Sequence, residues 1–284
     1  MPFSLTDKIF LKKNVFSDAK SRSDVLKYPF LYVILRYKSI FEVMLERTIG
    51  IVLHQVKYND ESVIVNIYTL QHGNMGFLVK MPRQKRSNVR TLLLRPLNIL
   101  ELDFDFRPNL SLQRIRDMKL HVSYESLPYE PVKGTLGLFL SEFLYHTLRN
   151  EMENPPLFKY LCNSLQWLDR SQKGLPNFHL VFLLRLTRFL GFWPNVLDYR
   201  KGRVFDMREA AMTDTLPLHS QYLNTEESSL LPFLLRMDYA TMHLFRFSRS
   251  QRAEVLDRLI DYYRMHIPEF PELKSLDVLR TVFS

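Results

Sequence analysis

The chain has 284 residues, 46% of them hydrophobic, enough to bury a substantial core as one large domain or two modest ones. Its 39 lysines and arginines against 30 acids leave a formal net charge of +9, which favours polyanionic partners such as nucleic acid or anionic lipid. Cys162 is the one cysteine, which excludes an intramolecular disulfide and any zinc site needing two or more thiolates. Apolar runs such as Pro29 to Leu35 and Leu180 to Leu184 fall far short of the roughly 18 residues of a membrane span, and no secretory-signal layout is visible, so the expectation is a soluble, cytoplasmic protein with no membrane partner.

Residues 1–43 mix eight Lys/Arg with four acids and have no sustained period. They read either as a basic, weakly ordered extension or as an artefact of the assigned start, with Met44 the true one. From Glu46 apolar residues recur at every second position, as in half-buried strands. Ile49, Ile51 and Leu53 alternate first; Val63, Val65 and Ile67 follow a turn at Asn59-Asp60. Met75, Phe77 and Val79 come after the turn at His72-Gly73-Asn74. Leu100, Leu102, Phe104 and Phe106 interleave with Glu101, Asp103 and Asp105, and a last strand runs through Leu120, Val122 and Tyr124. Five short strands with one longer connection suit a small closed barrel, either an OB-fold or an SH3-like one.

After Pro128 and Pro131 the period becomes helical. Leu136, Leu140, Phe143, Thr147 and Leu148 mark a first helix, ended by Asn154-Pro155-Pro156. Gly134-Thr135-Leu136-Gly137 is its start rather than a phosphate loop, because no lysine follows. Leu157, Leu161, Leu165 and Leu168 mark a second helix closed by Gly174 and Pro176. A third, from about Asn177 to Leu190, is apolar on most sides and belongs at the centre of a bundle. Residues 195–228 look irregular, Ser228-Ser229 reads as an N-cap, and three more helices are expected near Leu230–Phe245, Arg249–Met265 and Leu273–Val282.

The strongest functional signal is the segment from Lys80 to Arg90, which carries Lys80, Arg83, Lys85, Arg86 and Arg90 and no acid. It falls between two strands, where mobile cations can follow a phosphate backbone; a merely solvated basic loop is the plainer alternative. Single-strand binding also needs flat stacking surfaces, for which Tyr58, Tyr68 and Phe77 are the nearby aromatics. Tyr68, on the strand face opposite Val65 and Ile67, is expected to be exposed, and Phe77 to be core. Glu101, Asp103 and Asp105 share one strand face, a spacing that could hold Mg²⁺ for phosphodiester cleavage but is also what a barrel strand with a wet outer face must show. Arg185 and Arg188, three apart on the third helix, offer either a dock for an acidic, apolar peptide tail or two side chains reaching solvent. His146 sits among apolar neighbours as a packed or surface residue. No HExxH, GxSxG or GxxxxGK[ST] pattern occurs, so neither a catalytic residue nor a cofactor or metal ligand is assigned.

Taken together, Gly50-Ile51-Val52-Leu53-His54, Glu61-Ser62, Thr69-x-x-His72-Gly73 and the basic Lys80 to Ser87 stretch resemble the RecO family of DNA repair and recombination proteins. Pro96-Leu97-x-x-Leu100-Glu101-Leu102, Leu112-Gln113-Arg114-Ile115 and Phe189-Leu190-Gly191-Phe192-x-Pro194 extend the resemblance, which covers about Met44 to Arg264. It implies an α+β, multidomain chain: an N-terminal five-stranded OB-fold β-barrel over 44–127, then an all-α helical domain over 132–284. It also implies a nucleoid-associated, non-enzymatic mediator that binds single- and double-stranded DNA, anneals strands, and works with RecR to load recombinase onto strands coated by the single-strand binding protein SSB. The acidic C-terminal tail of SSB would dock on the helical domain. Many members carry a four-cysteine zinc site after the Gly-Tyr-x-Pro motif; here Val196 to Gly202 has no cysteine, so that segment must fold without metal. A metal-dependent nuclease and a DNA-independent protein-binding adaptor are the competing readings.

Overall fold

A computed structural model describes residues 44–81 and 88–283; residues 1–43 and Arg83, Lys85 and Arg86 lie outside the described residues. Strands β1 (Met44–Asn59), β2 (Ser62–Thr69), β3 (Gly73–Lys80), β4 (Ile99–Phe106) and β5 (Leu112–Leu120) close into a barrel in the order β1-β2-β3-β5-β4. Neighbours are antiparallel except β3 and β5, which run parallel. With the short helix α1 (Asn88–Leu93) between β3 and β4, this is the OB-fold. The long β1 serves both sides of the closure, pairing with β4 up to Ile51 and with β2 from Gly50 onward. Gly50 sits where the walls converge: a Cβ there would lie 2.5 Å from Ile67 Cγ2.

The strand alternation resolves into two separate cores. Val52, Val65, Ile67, Phe77, Leu100, Leu102 and Phe104 fill the barrel interior. Ile51, Leu53, Tyr68 and Ile99 point outward from the barrel, yet are equally dry because they join the core of the helical half. The fifth strand stops at Leu120 rather than running through Val122 and Tyr124; both pack instead against the helices, and the Tyr124 hydroxyl donates to Leu97 O at 2.8 Å.

The helices are α2 (Pro131–Thr147), α3 (Pro155–Arg170), α4 (Leu175–Leu186), α5 (Thr225–Leu234), α6 (Arg249–His266) and α7 (Ser275–Phe283). Every residue of α4 from Asn177 to Leu184 is buried, the central position that its all-round apolar sequence requires. Asn154, expected to end the first helix, opens α3 by accepting from Leu157 N at 3.1 Å. The N-cap of α5 is Asn224, not Ser228: Asn224 and Glu227 form a capping box. Ser228 lies inside that helix and uses its hydroxyl to join two short extended segments, accepting from Phe205 N and donating to Leu223 O. The helix expected over Leu230–Phe245 ends at Leu234, and Met242–Leu244 is a 3-10 turn.

The stretch that looks irregular in sequence holds a small antiparallel sheet of β6 (Val204–Asp206), β7 (Ala211–Thr213) and β8 (Tyr222–Leu223), in the order β7-β6-β8. Side-chain pairs hold this segment together. The Arg203 guanidinium binds the Asp214 carboxylate and donates to Asp198 O at 2.9 Å, while Asp206 accepts from Arg208 N at 2.9 Å and pairs with His219 at 3.2 Å.

Besides that shared core, hydrogen bonds fasten the barrel to the helices in the β2–β3 turn and after β5. In the β2–β3 turn, Asn74 N donates to Glu151 O at 3.0 Å and its side-chain amide to Arg149 O at 3.0 Å, so this turn is a docked element. After β5, the Asp169 carboxylate at the end of α3 accepts from the backbone of Glu125, Ser126 and Leu127 at 3.0, 2.8 and 2.7 Å. Lys133, fully buried in α2, closes the clasp by donating to Ser126 Oγ and Asp169 O at 2.7 and 2.9 Å.

Candidate nucleic-acid interface

β3 delivers its last residue, Lys80, to solvent at the root of the basic segment. The chain leaves in a fixed direction because Met81 N donates to Glu61 O at 2.7 Å, beside the β1–β2 turn. Helix α1 then returns Arg90, exposed, whose guanidinium approaches Lys80 O at 3.4 Å. On β5, Arg114 stands in parallel register with Leu78 and is exposed. Among the described residues, no carboxylate pairs with Lys80, Arg90 or Arg114. Three exposed cations, none of them in an ion pair, thus flank the root of the basic segment. A crevice of about 200 Å³ opens there, walled by Val79, Leu93, Ile115 and Met118 and edged by Arg90, Arg116 and one carboxylate, Asp117.

The β4 carboxylates have the opposite electrostatic fate. Glu101 pairs with Lys119 at 2.8 Å and His121 at 3.1 Å, Asp103 with Arg47 at 2.7 Å, and Asp105 with Arg116 at 2.5 Å. The hydrogen bond from Lys119 holds the Glu101 carboxyl below its ordinary range, and that from Arg47 does the same for Asp103. These acids form a cross-strand ladder of ion pairs rather than a converging ligand set. Among the described residues, no group of three or more His, Cys, Asp or Glu side chains is placed to hold a metal ion.

Of the three aromatics, Phe77 is in the barrel core as expected. Tyr68 is not exposed: it is 0% accessible, its ring packs on Phe158 of α3 with centroids 6.2 Å apart, and its hydroxyl donates to Met152 O at 3.3 Å. The outward face of β2 is covered by the helical half, and burial pushes the Tyr68 phenol well above its ordinary pKa. A base cannot reach this ring. Tyr58, by contrast, is 61% exposed. It lies in the register shift between Lys57 and Asn59, where the extra residue of a bulge is turned out of the ladder. Its hairpin adjoins the basic segment, since Asn59 faces Ser62 and Ser62 faces Lys80. Arg114 and the exposure of Tyr58 escape a reading by motifs. The outward parity of Arg114 opposite buried Gln113 was the available signal for the first; a bulge leaves none for the second.

On the helical half, Arg185 is in the last turn of α4 and donates to Met237 O at 3.2 Å, so its guanidinium already fastens a neighbouring turn. Arg188 lies past the end of α4 and is exposed. His146 is half-buried, with its ring 4.9 Å from that of Tyr145. No described helix is long and apolar enough to cross a membrane.

Two family models match the chain: Recombination protein O N terminal over residues 44–124 and Recombination protein O C terminal over residues 129–277. Proteins named DNA repair protein RecO are among its relatives. That of Phocaeicola vulgatus is 50% identical over 241 residues, covering 85% of this chain and 100% of its own. That of Bacteroides fragilis is 50% identical, covering 84% and 100%, and that of Porphyromonas gingivalis is 34% identical, covering 82% and 97%.

Proposed function

The chain belongs to the RecO family of DNA repair proteins, and from that premise we propose that it is a non-enzymatic recombination mediator whose barrel binds DNA through the basic segment between β3 and α1. In this reading Lys80, Arg83, Lys85, Arg86 and Arg90 contact phosphates, joined by Arg114 of β5. The observation that carries it is the cluster of exposed cations Lys80, Arg90 and Arg114, none with an ion-pair partner among the described residues, around the root of that segment, on an OB-fold barrel whose β4 acids are all paired. Cations free of counter-charge bind a polyanion by releasing its condensed counterions, without first breaking an internal ion pair.

The sequence-tolerant part of single-strand binding falls to Tyr58, whose exposed ring can stack on a base. Binding two complementary strands on such a surface screens their phosphates from each other, which promotes annealing without nucleotide hydrolysis or a cofactor. Double-stranded DNA is held by the same cations. The mediator steps, loading recombinase onto SSB-coated strands with RecR at the nucleoid, follow from the family premise. Docking of the acidic SSB tail is assigned to the helical half, with exposed Arg188 and the neighbouring Arg185 as its basic contacts.

The test is strand annealing of complementary oligonucleotides, bare and SSB-coated, with the full chain and no nucleotide. Accelerated annealing without shortening of labelled strands in Mg²⁺ or Mn²⁺ supports the mediator. Strand cleavage would favour a nuclease, and negligible DNA affinity at low salt a protein-binding adaptor.

A further inference from the structure

Away from the barrel, a cavity of about 220 Å³ lies between α4, the first turns of α6 and the end of α7. Its floor is apolar, made by Ala253, Leu256, Leu279 and Phe283, and Arg249, Arg252 and Arg280 stand around it. Arg280 is committed elsewhere, to Asp257 at 2.5 Å and Asp277 at 3.1 Å. Arg249 and Arg252 are not: among the described residues neither has a carboxylate partner. Arg252 donates to Phe247 O at 3.3 Å and reaches Asn177 Oδ1 at 3.5 Å, but its Nε is buried with no acceptor.

His179 of α4 lines the same cavity. It is 2% exposed, and its Nδ1 is likewise buried with no partner. Burial drives its pKa down to about 3, so the ring is neutral and can present an N–H from either nitrogen. Burial lowers the Arg252 pKa too, and the adjacent Arg249 charge lowers it further. Two guanidinium groups without a carboxylate partner, Arg249 exposed and Arg252 partly desolvated, thus stand together at the edge of an apolar cavity and repel each other. An anion between the two guanidinium groups would neutralise their mutual repulsion, and the N-terminal turn of α6, which carries Arg249 and Arg252, adds its positive end to the field.

We propose that this cavity is an oxyanion-binding site, taking a phosphate group either free or as a monoester whose compact organic part rests on Leu256, Leu279 and Phe283. It is separate from the DNA-binding side of the barrel and does not depend on that assignment.

The experiment is thermal unfolding of the full chain with inorganic phosphate or phenyl phosphate, against sodium chloride at matched ionic strength, alongside the ¹⁵N imidazole signals of His179. A ligand at ten times its Kd should raise Tm by about 3–6 °C and shift the His179 signals saturably. Arg249→Ala, an exposed side chain whose loss leaves the packing intact, should weaken affinity about tenfold; Arg252→Lys keeps the charge but removes the fork and should weaken it as well. Saturation by inorganic phosphate at the same concentration as phenyl phosphate assigns a free anion, and saturation by phenyl phosphate at lower concentration assigns a monoester. No saturable shift with either probe, or a shift undiminished in both variants, overturns the site.

Discussion

Replacing Asp169 by asparagine should loosen the clasp that ties the barrel to the helices. The carboxylate accepts from three consecutive backbone N–H groups at 2.7 to 3.0 Å, and its residue is 5% exposed. An amide keeps one acceptor oxygen, so it retains the bonds to Ser126 and Leu127 at neutral strength and turns its NH₂ toward Glu125 N, donor against donor. A hydrogen bond to a charged group contributes about 1.5–3 kcal/mol and a neutral one about 1, so the variant should lose about 3 kcal/mol. That corresponds to a fall in Tm of about 6–12 °C for a domain of this size. The pH dependence follows from the same carboxyl. Burial works to raise its pKa, but the backbone donors outweigh burial and hold it below the ordinary value. A depressed folded pKa stabilises fully above the unfolded value of about 3.9 and is lost as pH falls through the folded one. The gap between wild type and Asp169→Asn, measured by urea unfolding, should therefore be constant from pH 7 to about 5 and close in stronger acid. A gap under about 1 kcal/mol at pH 7, or one that widens on acidification, would refute the reasoning.

Three further outcomes are expected. Gly73 has φ +66°, and a Cβ there would lie 2.4 Å from Glu151 O and 2.5 Å from Met152 C, both backbone; Gly73→Ala should cost about 2–4 kcal/mol in denaturant unfolding, and a neutral result would mean the β2–β3 turn is not docked as described. Burial pushes the Cys162 thiol up to about 12, so iodoacetamide at pH 8 should label it only after denaturation; rapid labelling of native protein would contradict its packing. Tyr58→Ala should lower single-strand affinity about 5- to 150-fold while Tyr58→Trp retains it, with tryptophan fluorescence quenched on binding; equal affinity in both variants removes stacking at this position.

How much of this was legible in the sequence depended on whether the deciding interaction is local. In β4, Leu100, Leu102 and Phe104 alternate with acids because one face lines the barrel and the other is wet, so period and burial coincide. At Tyr68 and Ile51 the same parity argument misleads, because the outer face is dry where α2 and α3 cover it, and no local pattern announces a distant partner. Strands β6, β7 and β8 have two or three residues each, too few for a period of two to be seen. Asn224 was a readable cap, with Glu227 three residues on; Ser228 is a polar residue recruited by the small sheet instead. Of the candidate interface, the charge of the Lys80 to Arg90 segment was plain in sequence. That Arg114 would lie beside it depended on the parallel pairing of β3 with β5, a contact between strands distant in the chain.

The central claim is that the segment from Lys80 to Arg90 holds nucleic-acid phosphates, and the slope of log affinity against log salt for a labelled single strand measures it most directly. Each phosphate contact contributes about 0.7 to that slope, so replacing Lys80, Arg83, Lys85, Arg86 and Arg90 together with alanine should flatten it by about 3.5 and weaken binding most at low salt. An unchanged slope, with the wild-type chain binding normally, would contradict the claim and move the interface elsewhere on the protein.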